Sequence, residues 1–399
     1  YGGKIYRIPI DGGDAIDVPF EVNEKIVLGP RLKFDYPIDD SPTFSVNQIR
    51  DAQISPDGLK VVFTALNKLY IMNFEDKIPK RLTNFSATEA MPSWNPNGKE
   101  IVFVTWDDNV GGSVYRLGID KKSKPIKLTE ETGVYTNPIW SYDNRIIVFK
   151  GSAQQFKDSD GPRSFQQKSS LVWINAKYPD KTKLIVKASG LSNPHFAQGD
   201  NRIYLNSSDG LVSIKWDGTD LKKHLSVDGI TVYGSSYNQD HLLSDTPNAP
   251  KKEPSKASVI IRAPKGEYAL AQVNNDIYIV TVPLIGEKGV KINVNEPKKA
   301  NFPSRKLTKF GGEFPSWNSN GDIVYWTLGK TLFKYDILAA KAFENKQKEE
   351  IELQKKEKDS SNDDTSKNNL IEDNGTKDYQ ALERQIIVKV KKAIPKVDL

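Results

Sequence analysis

The 399 residues suffice for two average domains or one large all-β domain. A mean hydropathy of −0.55, with no apolar run near the roughly 20 residues that a bilayer crossing needs, excludes a membrane-spanning helix. The net charge of +6 is small against 57 basic and 51 acidic residues, and the two signs are interspersed, so nucleic acid is not an expected partner. The chain has no cysteine, which excludes disulfides, thiolate catalysis and Cys-ligated zinc.

The chain opens on YGGKIYRIPI, which already reads as strand. It has no initiating Met, no basic n-region before an apolar stretch and no cleavage site, and is expected to be a piece of a longer polypeptide. From Phe20 to Ile54 runs a longer connection, EVNEKIVLGPRLKFDYPIDDSPTFSVNQIRDAQ, with room for one extra strand pair.

At residues 52–74, AQISPDGLKVVFTALNKLYIMNF introduces a unit that recurs. IRAPKGEYALAQVNNDIYIV at 261–280 lies over it without a gap, so that Pro56 meets Pro264, Gly58 meets Gly266 and Tyr70 meets Tyr278. The phrase PSWNPNG at 92–98 returns as PSWNSNG at 315–321, and PIWSYDNRIIVFKG from Pro138 and PHFAQGDNRIYLNSS from Pro194 fit the same frame. Six openings result, at Ile54, Trp94, Trp140, Phe196, Arg262 and Trp317, about 40 to 66 residues apart.

Each unit has one grammar. SPDG at 55–58 spells a type I turn, with Ser first, Pro setting φ at the second position and Gly fourth. A β-branched and aromatic run follows (KVVFTA, EIVFVTW, RIIVFKG, DIVYWTL), then a polar break and a second run. A third short segment often ends in Leu-Thr, as in PKRLTNF, PIKLTEE and SRKLTKF. Four strands per unit at this spacing predict the blades of an all-β propeller, six by the count of openings and seven as the alternative. Trp94, Trp140 and Trp317 are expected in the core between blades.

Residues 1–20 match only the second half of a unit. Either they supply the last strands of the final blade, or they are the tail of a blade whose first half lies upstream. The polar stretches 151–170 and 244–258 read as long surface loops. The propeller is expected to end near residue 338. A charged insert at 339–384 follows, its first half a solvated helix and its second disordered, and then a strand or linker at 385–399 leading toward a further domain.

The catalytic inventory is thin. His195, His224 and His241 form no His-x-His or His-Glu-x-x-His, no Gly-x-Ser-x-Gly elbow exists, and no Gly-rich phosphate loop precedes a helix. Asp57 and Asp143 read as turn formers, since DSDG at 158–161 is too short for calcium. No catalytic, cofactor or metal residue is therefore assigned. The candidate binding residues are Asp39, Asp40, Arg50 and Asp51, charged side chains among apolar ones just before a blade. They form either an internal ion pair tying the connection to the ring or a contact for a partner or substrate.

LGPRLKFDYPIDDSPTFSVNQIRDAQISPDG, followed by LNKLYIMNF, PSWNPNGKEIVFVTWDD and GVYTNPIWS, resembles the TolB-like propeller region of large secreted bacterial amidohydrolases. The resemblance covers roughly residues 1–338 and is most specific over 28–143; the charged insert departs from it. It implies a periplasmic or secreted protein whose propeller docks, oligomerises or gates substrate for a downstream amidohydrolase domain in the same polypeptide. The family's metal-binding histidines, which hold Zn or another divalent metal, belong to that domain and map to no residue here. The alternative is a free-standing TolB-like propeller that binds a protein or peptide partner in the cell envelope. A third, the gating propeller of a prolyl-peptidase-like hydrolase, requires a Gly-x-Ser-x-Gly domain beyond these residues.

Overall fold

The computed structural model describes residues 4–26, 29, 41–76, 78–120, 122–158, 169–179, 181–188, 190–230, 254–283, 289–360 and 378–392. Two compact units result, Tyr1–Pro42 and Thr43–Leu399. In the first, Ile5–Arg7 pairs antiparallel with Ile16–Val18, Ile5 opposite Val18 and Arg7 opposite Ile16. Every residue of this hairpin is exposed.

The second unit is a six-bladed propeller of four-stranded antiparallel blades. Blade 1 comprises Arg50–Ile54, Lys60–Ala65, Lys68–Asn73 and Lys80–Arg81. Blade 2 comprises Thr88–Trp94, Glu100–Trp106, Ser113–Gly118 and Ile126–Lys127; blade 3, Val134–Trp140, Arg145–Gly151, Ser170–Asn175 and Lys183–Lys187. Blade 4 comprises Ser192–His195, Ile203–Ser207, Gly210–Ile214 and Lys222–Gly229; blade 5, Val259–Arg262, Tyr268–Val273, Asp276–Thr281 and Ser304–Lys306. Blade 6 comprises Glu313–Trp317, Ile323–Leu328 and Thr331–Asp336, and its outer strand is Leu382–Gln385. That position is thus filled from within 378–392 rather than by residues 1–20.

The second strands read as unbroken apolar runs because both their faces are covered, as a strand packed on both sides must be. Val61 and Phe63 pack toward blade 6, while Val62 packs toward blade 2. Six apolar cores follow, one at each seam. The last brings Ile54 and Phe63 of blade 1 together with Tyr325 and Leu332 of blade 6, closing the ring. Ile386 and Val388 complete that closing core, and beside it Thr43–Ser45 pairs with Lys389–Lys391.

The repeated phrases have local causes. In SPDG the Ser55 carbonyl accepts the Gly58 N–H (2.8 Å), and the Ser55 hydroxyl accepts the N–H of Lys60 (2.8 Å). Gly58, Gly98 and Gly321 all have φ near +70° (75°, 71° and 74°), which side chains resist. In Leu-Thr, the Leu N–H donates to a third-strand carbonyl: Leu82 to Leu69, Leu128 to Val114, Leu307 to Ile277. The Thr hydroxyl accepts that same residue's N–H, Thr129 from Val114 and Thr308 from Ile277, both at 3.1 Å. In blade 1 the buried Glu89 takes the Leu69 N–H instead (3.2 Å), and the Thr83 hydroxyl donates to its carboxylate. The motif thus satisfies backbone groups where the outer strand is too short to do so.

The indole N–H of Trp94 donates to the Gln53 carbonyl, and that of Trp317 to the Ile261 carbonyl, each at 3.0 Å. Gln53 and Ile261 hold the same place, one residue before the opening of the preceding blade. The two copies of the phrase therefore occupy equivalent sites.

The departures from regularity sit in connections. One parallel pair exists among the described strands: Val290–Asn293 adds to the outer edge of blade 4, Leu225 opposite Val290. Helix α1 (Ala153–Asp158) lies in the connection between the second and third strands of blade 3. Helix α2 (Ile337–Ser360) follows the third strand of blade 6; Asp336 caps it by accepting the Ala339 N–H (2.9 Å), and its first turn buries Ile337 and Ala340. No described helix is long and apolar enough to cross a membrane.

Candidate functional site at the channel mouth

The first strand of each blade lines the central channel, and its N-terminal end defines one mouth. Five of the six carry a β-bulge where the register with the second strand shifts, near that end between Arg50 and Gln53, Ser192 and His195, and Glu313 and Ser316, and three residues in from it between Ala90 and Ser93 and between Thr136 and Ile139. Within each shift lies one residue of positive φ: Asp51 (50°), Met91 (53°), Asn137 (52°), Asn193 (48°) and Phe314 (53°). Each stands three residues before its blade opening. Blade 5 alone has an unbroken first strand, Val259–Arg262.

A bulge leaves one residue out of the ladder and re-aims its side chain. A left-handed backbone is tolerable for Asp or Asn but costs a Met or Phe about 1–2 kcal/mol. Four of the five residues also precede a proline (Pro92, Pro138, Pro194, Pro315), which narrows their backbone freedom further. Such strain, repeated at equivalent places around one mouth, is the kind of feature that clusters at functional sites.

The bulges are tied to one another. The Asp51 carboxylate faces the Met91 backbone, and burial holds its pKa above the ordinary carboxylate value against the pull of that backbone and of Arg50. The Met91 Sδ in turn receives the Asn137 N–H (3.2 Å). Arg50 is exposed; its Nη2 donates to Gln48 Oε1 (3.4 Å), and Gln48 Nε2 donates to Glu313 Oε2 (3.0 Å), spanning blades 1 and 6.

Of the residues selected from sequence, Arg50 and Asp51 therefore stand together at the mouth, while Asp39 and Asp40 lie outside the described residues. Met91, Asn137, Asn193, Phe314 and Glu313 are further mouth residues. An Asp or Asn three residues before an opening marks three of the bulge positions, and a proline two residues before the opening marks four; at Met91 and Phe314 only the proline marks the place.

Strand order places the connections between second and third strands, and between blades, at this same mouth. In sequence, the inserts at 151–170 and 244–258 belong to connections of these two kinds, but their residues 159–168 and 244–253 lie outside the described residues. Leu66, Val110 and Phe310 lie in such connections and are 51%, 65% and 78% exposed.

The remaining chemistry is structural. Ser213 Oγ lies 2.8 Å from His224 Nε2, the spacing of a nucleophile and its base, but Ser213 is fully buried and also accepts the Arg202 Nε–H (2.8 Å), so no substrate can reach it. His195 bridges blades 4 and 5, and His241 lies outside the described residues. No group of three His, Cys, Asp or Glu side chains among the described residues could hold a metal ion, so these residues do not fit the divalent metal of an amidohydrolase.

No protein-family model matches the chain. Solved structures that it resembles include TolB from Acinetobacter baumannii, at 13% identity and a TM-score of 0.44 over 73% of this chain and 61% of that one. A putative TolB from Agrobacterium tumefaciens matches at 13% identity and TM-score 0.41, over 66% of this chain and 91% of that one. A structure from a study of two prolyl endopeptidases, on inter-domain dynamics in catalysis and specificity, matches at 14% identity and TM-score 0.41, over 73% and 41%. The chain thus spans about 61% of the length of the Acinetobacter protein. The blade count rests on the strand pairing described above, independently of these likenesses.

Proposed function

We propose that this propeller is a non-catalytic binding module that uses the bulged channel mouth, and that it is the docking or substrate-gating part of a periplasmic or secreted metal-dependent amidohydrolase. The observation that supports binding is the set of five strained bulges at equivalent places around one mouth, with Arg50 and Asp51 among them. The sequence resemblance over residues 28–143 supports the amidohydrolase context. In that reading Zn or another divalent metal resides in the hydrolase domain and supplies its Lewis acid there.

The test is direct. The purified chain, supplied with Zn(II), Mn(II) or Co(II), is expected to leave amide, lactam and cyclic-imide substrates intact; metal-dependent turnover by the chain alone overturns the non-catalytic reading. A second reading, a free-standing propeller that binds a protein or peptide in the envelope, is favoured by the exposed Leu66, Val110 and Phe310 at the same mouth. Genomic sequence running on from Leu399 into a His-x-His strand would support the first reading over the second.

A further inference from the structure

Blades 4 and 5 are joined differently from the other pairs, through a row of polar side chains. Asn206 is 5% exposed and pairs with both backbone groups of Ile260: its Nδ2 donates to the carbonyl (2.7 Å), and its Oδ1 accepts the N–H (3.0 Å). One step along, His195 Nε2 accepts the Arg262 N–H (2.9 Å), and its Nδ1 lies 2.9 Å from the Asn193 carbonyl. A nitrogen that accepts an N–H carries no proton, and a carbonyl can only accept. The two bonds together therefore require neutral imidazole with its proton on Nδ1.

We propose that His195 is an acid-sensitive latch: its protonation releases the first strand of blade 5 from blade 4 and opens the ring at this seam. Protonated Nε2 can no longer accept the Arg262 N–H. The new cation would face the Arg262 guanidinium, which reaches the Tyr204 hydroxyl and lies over the Tyr204 ring (5.0 Å).

The other charged and titratable groups around the row cannot neutralise that cation. Asp200 accepts the Tyr204 hydroxyl proton (2.6 Å) and lies 4.0 Å from Arg262, so it is already engaged. Arg202 is held by Asp220 (2.8 Å), which also neighbours Lys215 and Lys222. His195 stacks on the Tyr204 ring (5.7 Å), and His224 lies tilted against that same ring (5.1 Å) and would add to the positive charge. The seam borders the one unbulged first strand among the described residues, Val259–Arg262, so its opening would alter the channel mouth.

Burial, opposed only partly by the Asn193 carbonyl, pushes the His195 pKa down from 6.5 to about 4. Protons therefore bind the open seam more tightly than the closed one. The stability this provides is complete above the open-state value near 6.5 and is lost as pH falls from there toward 4. The opening equilibrium is expected to rise about twofold at pH 6.5 and by roughly two orders of magnitude at pH 4.5, relative to pH 8.

The test is hydrogen exchange with mass spectrometry on the intact chain between pH 8 and 4.5, corrected for intrinsic exchange rates. Protection over residues 203–207 and 259–262 is expected to fall by about 10²-fold, while the core of blades 1 and 2 keeps its protection. His195→Gln preserves an acceptor and a donor at similar spacing without a titratable group, and should match the parent at pH 8 and lose the acid response. A uniform loss around all six blades, a parental response in H195Q, or abolition of the response by His224→Gln alone would each overturn the proposal. Should H195Q not fold, the imidazole C–H signals of the parent decide: a His195 midpoint near 4 supports the latch, and one between 6 and 7 refutes it.

Discussion

Trp94, Trp140 and Trp317 hold equivalent places in three blades, yet only two of the indoles have an acceptor. Trp94 and Trp317 donate across their seams at 3.0 Å, whereas the indole nitrogen of Trp140, in a side chain 5% exposed, has no acceptor among the described residues. Replacing each by Phe removes part of a packed ring and leaves a cavity, a cost broadly common to all three. At Trp94 and Trp317 it also removes a hydrogen bond to the Gln53 or Ile261 carbonyl, about 0.5–1.5 kcal/mol. At Trp140 it removes a buried donor that makes no bond, which offsets part of the cavity cost. Trp140→Phe should therefore be the mildest of the three by about 1–3 kcal/mol, or roughly 2–6 °C in Tm. Thermal and urea unfolding of the three variants side by side measures this. Equal losses, or a greater loss at Trp140, would refute the assignment of the seam hydrogen bonds.

The Leu-Thr motif yields a matched pair of tests: Thr129→Val and Thr308→Val should each cost about 1–3 kcal/mol in urea unfolding by orphaning a buried N–H, whereas Thr→Ser at either position should be nearly silent. Glu89→Leu strands the Leu69 N–H, the Thr83 hydroxyl and Arg81 together and should cost about 3 kcal/mol or more, read as a drop in the urea midpoint. Asp51→Asn keeps the side-chain shape and an acceptor facing the Met91 backbone and removes a carboxylate that burial disfavours in its charged form. Because that raised pKa makes the native state lose stability as pH climbs through it, the variant should gain stability at pH 7 and lose the advantage at pH 3; a deficit at pH 7 would contradict this.

The ring was legible in the sequence because its turns use residues with strong backbone preferences. Ser-Pro-Asp-Gly and Asn-x-Asn-Gly mark three of the six changes from first to second strand, at 55–58, 95–98 and 318–321, and the doubly covered second strands follow as apolar runs. The outer strand of blade 6 was not legible as such: LERQ at 382–385 has no apolar alternation, because an edge strand is fixed by its backbone ladder and leaves Leu382 half exposed. The intervening α2 further hides its kinship with blade 6. At the mouth, Arg50 and Asp51 could be selected by charge. Met91 and Phe314 could not, since the surrounding ring imposes a left-handed backbone against their own preference. The row linking blades 4 and 5 escaped for a related reason: His195 and Asn206 act through backbone atoms of Ile260 and Arg262, more than fifty residues away, and no local spacing reports such a bond.

The arrangement of blade 6 has a consequence for synthesis on the ribosome. Seams between blades 1 and 6 taken in order can assemble as each sheet emerges, but the last seam requires Ile386 and Val388. A nascent chain translated through Asp336 lacks two side chains of the closing core and is therefore expected to populate an open arc with two bare apolar faces, Val61 and Phe63 at one end and Tyr325 and Leu332 at the other. Until the final strand arrives, that arc is a substrate for a holdase chaperone, and for a second arc.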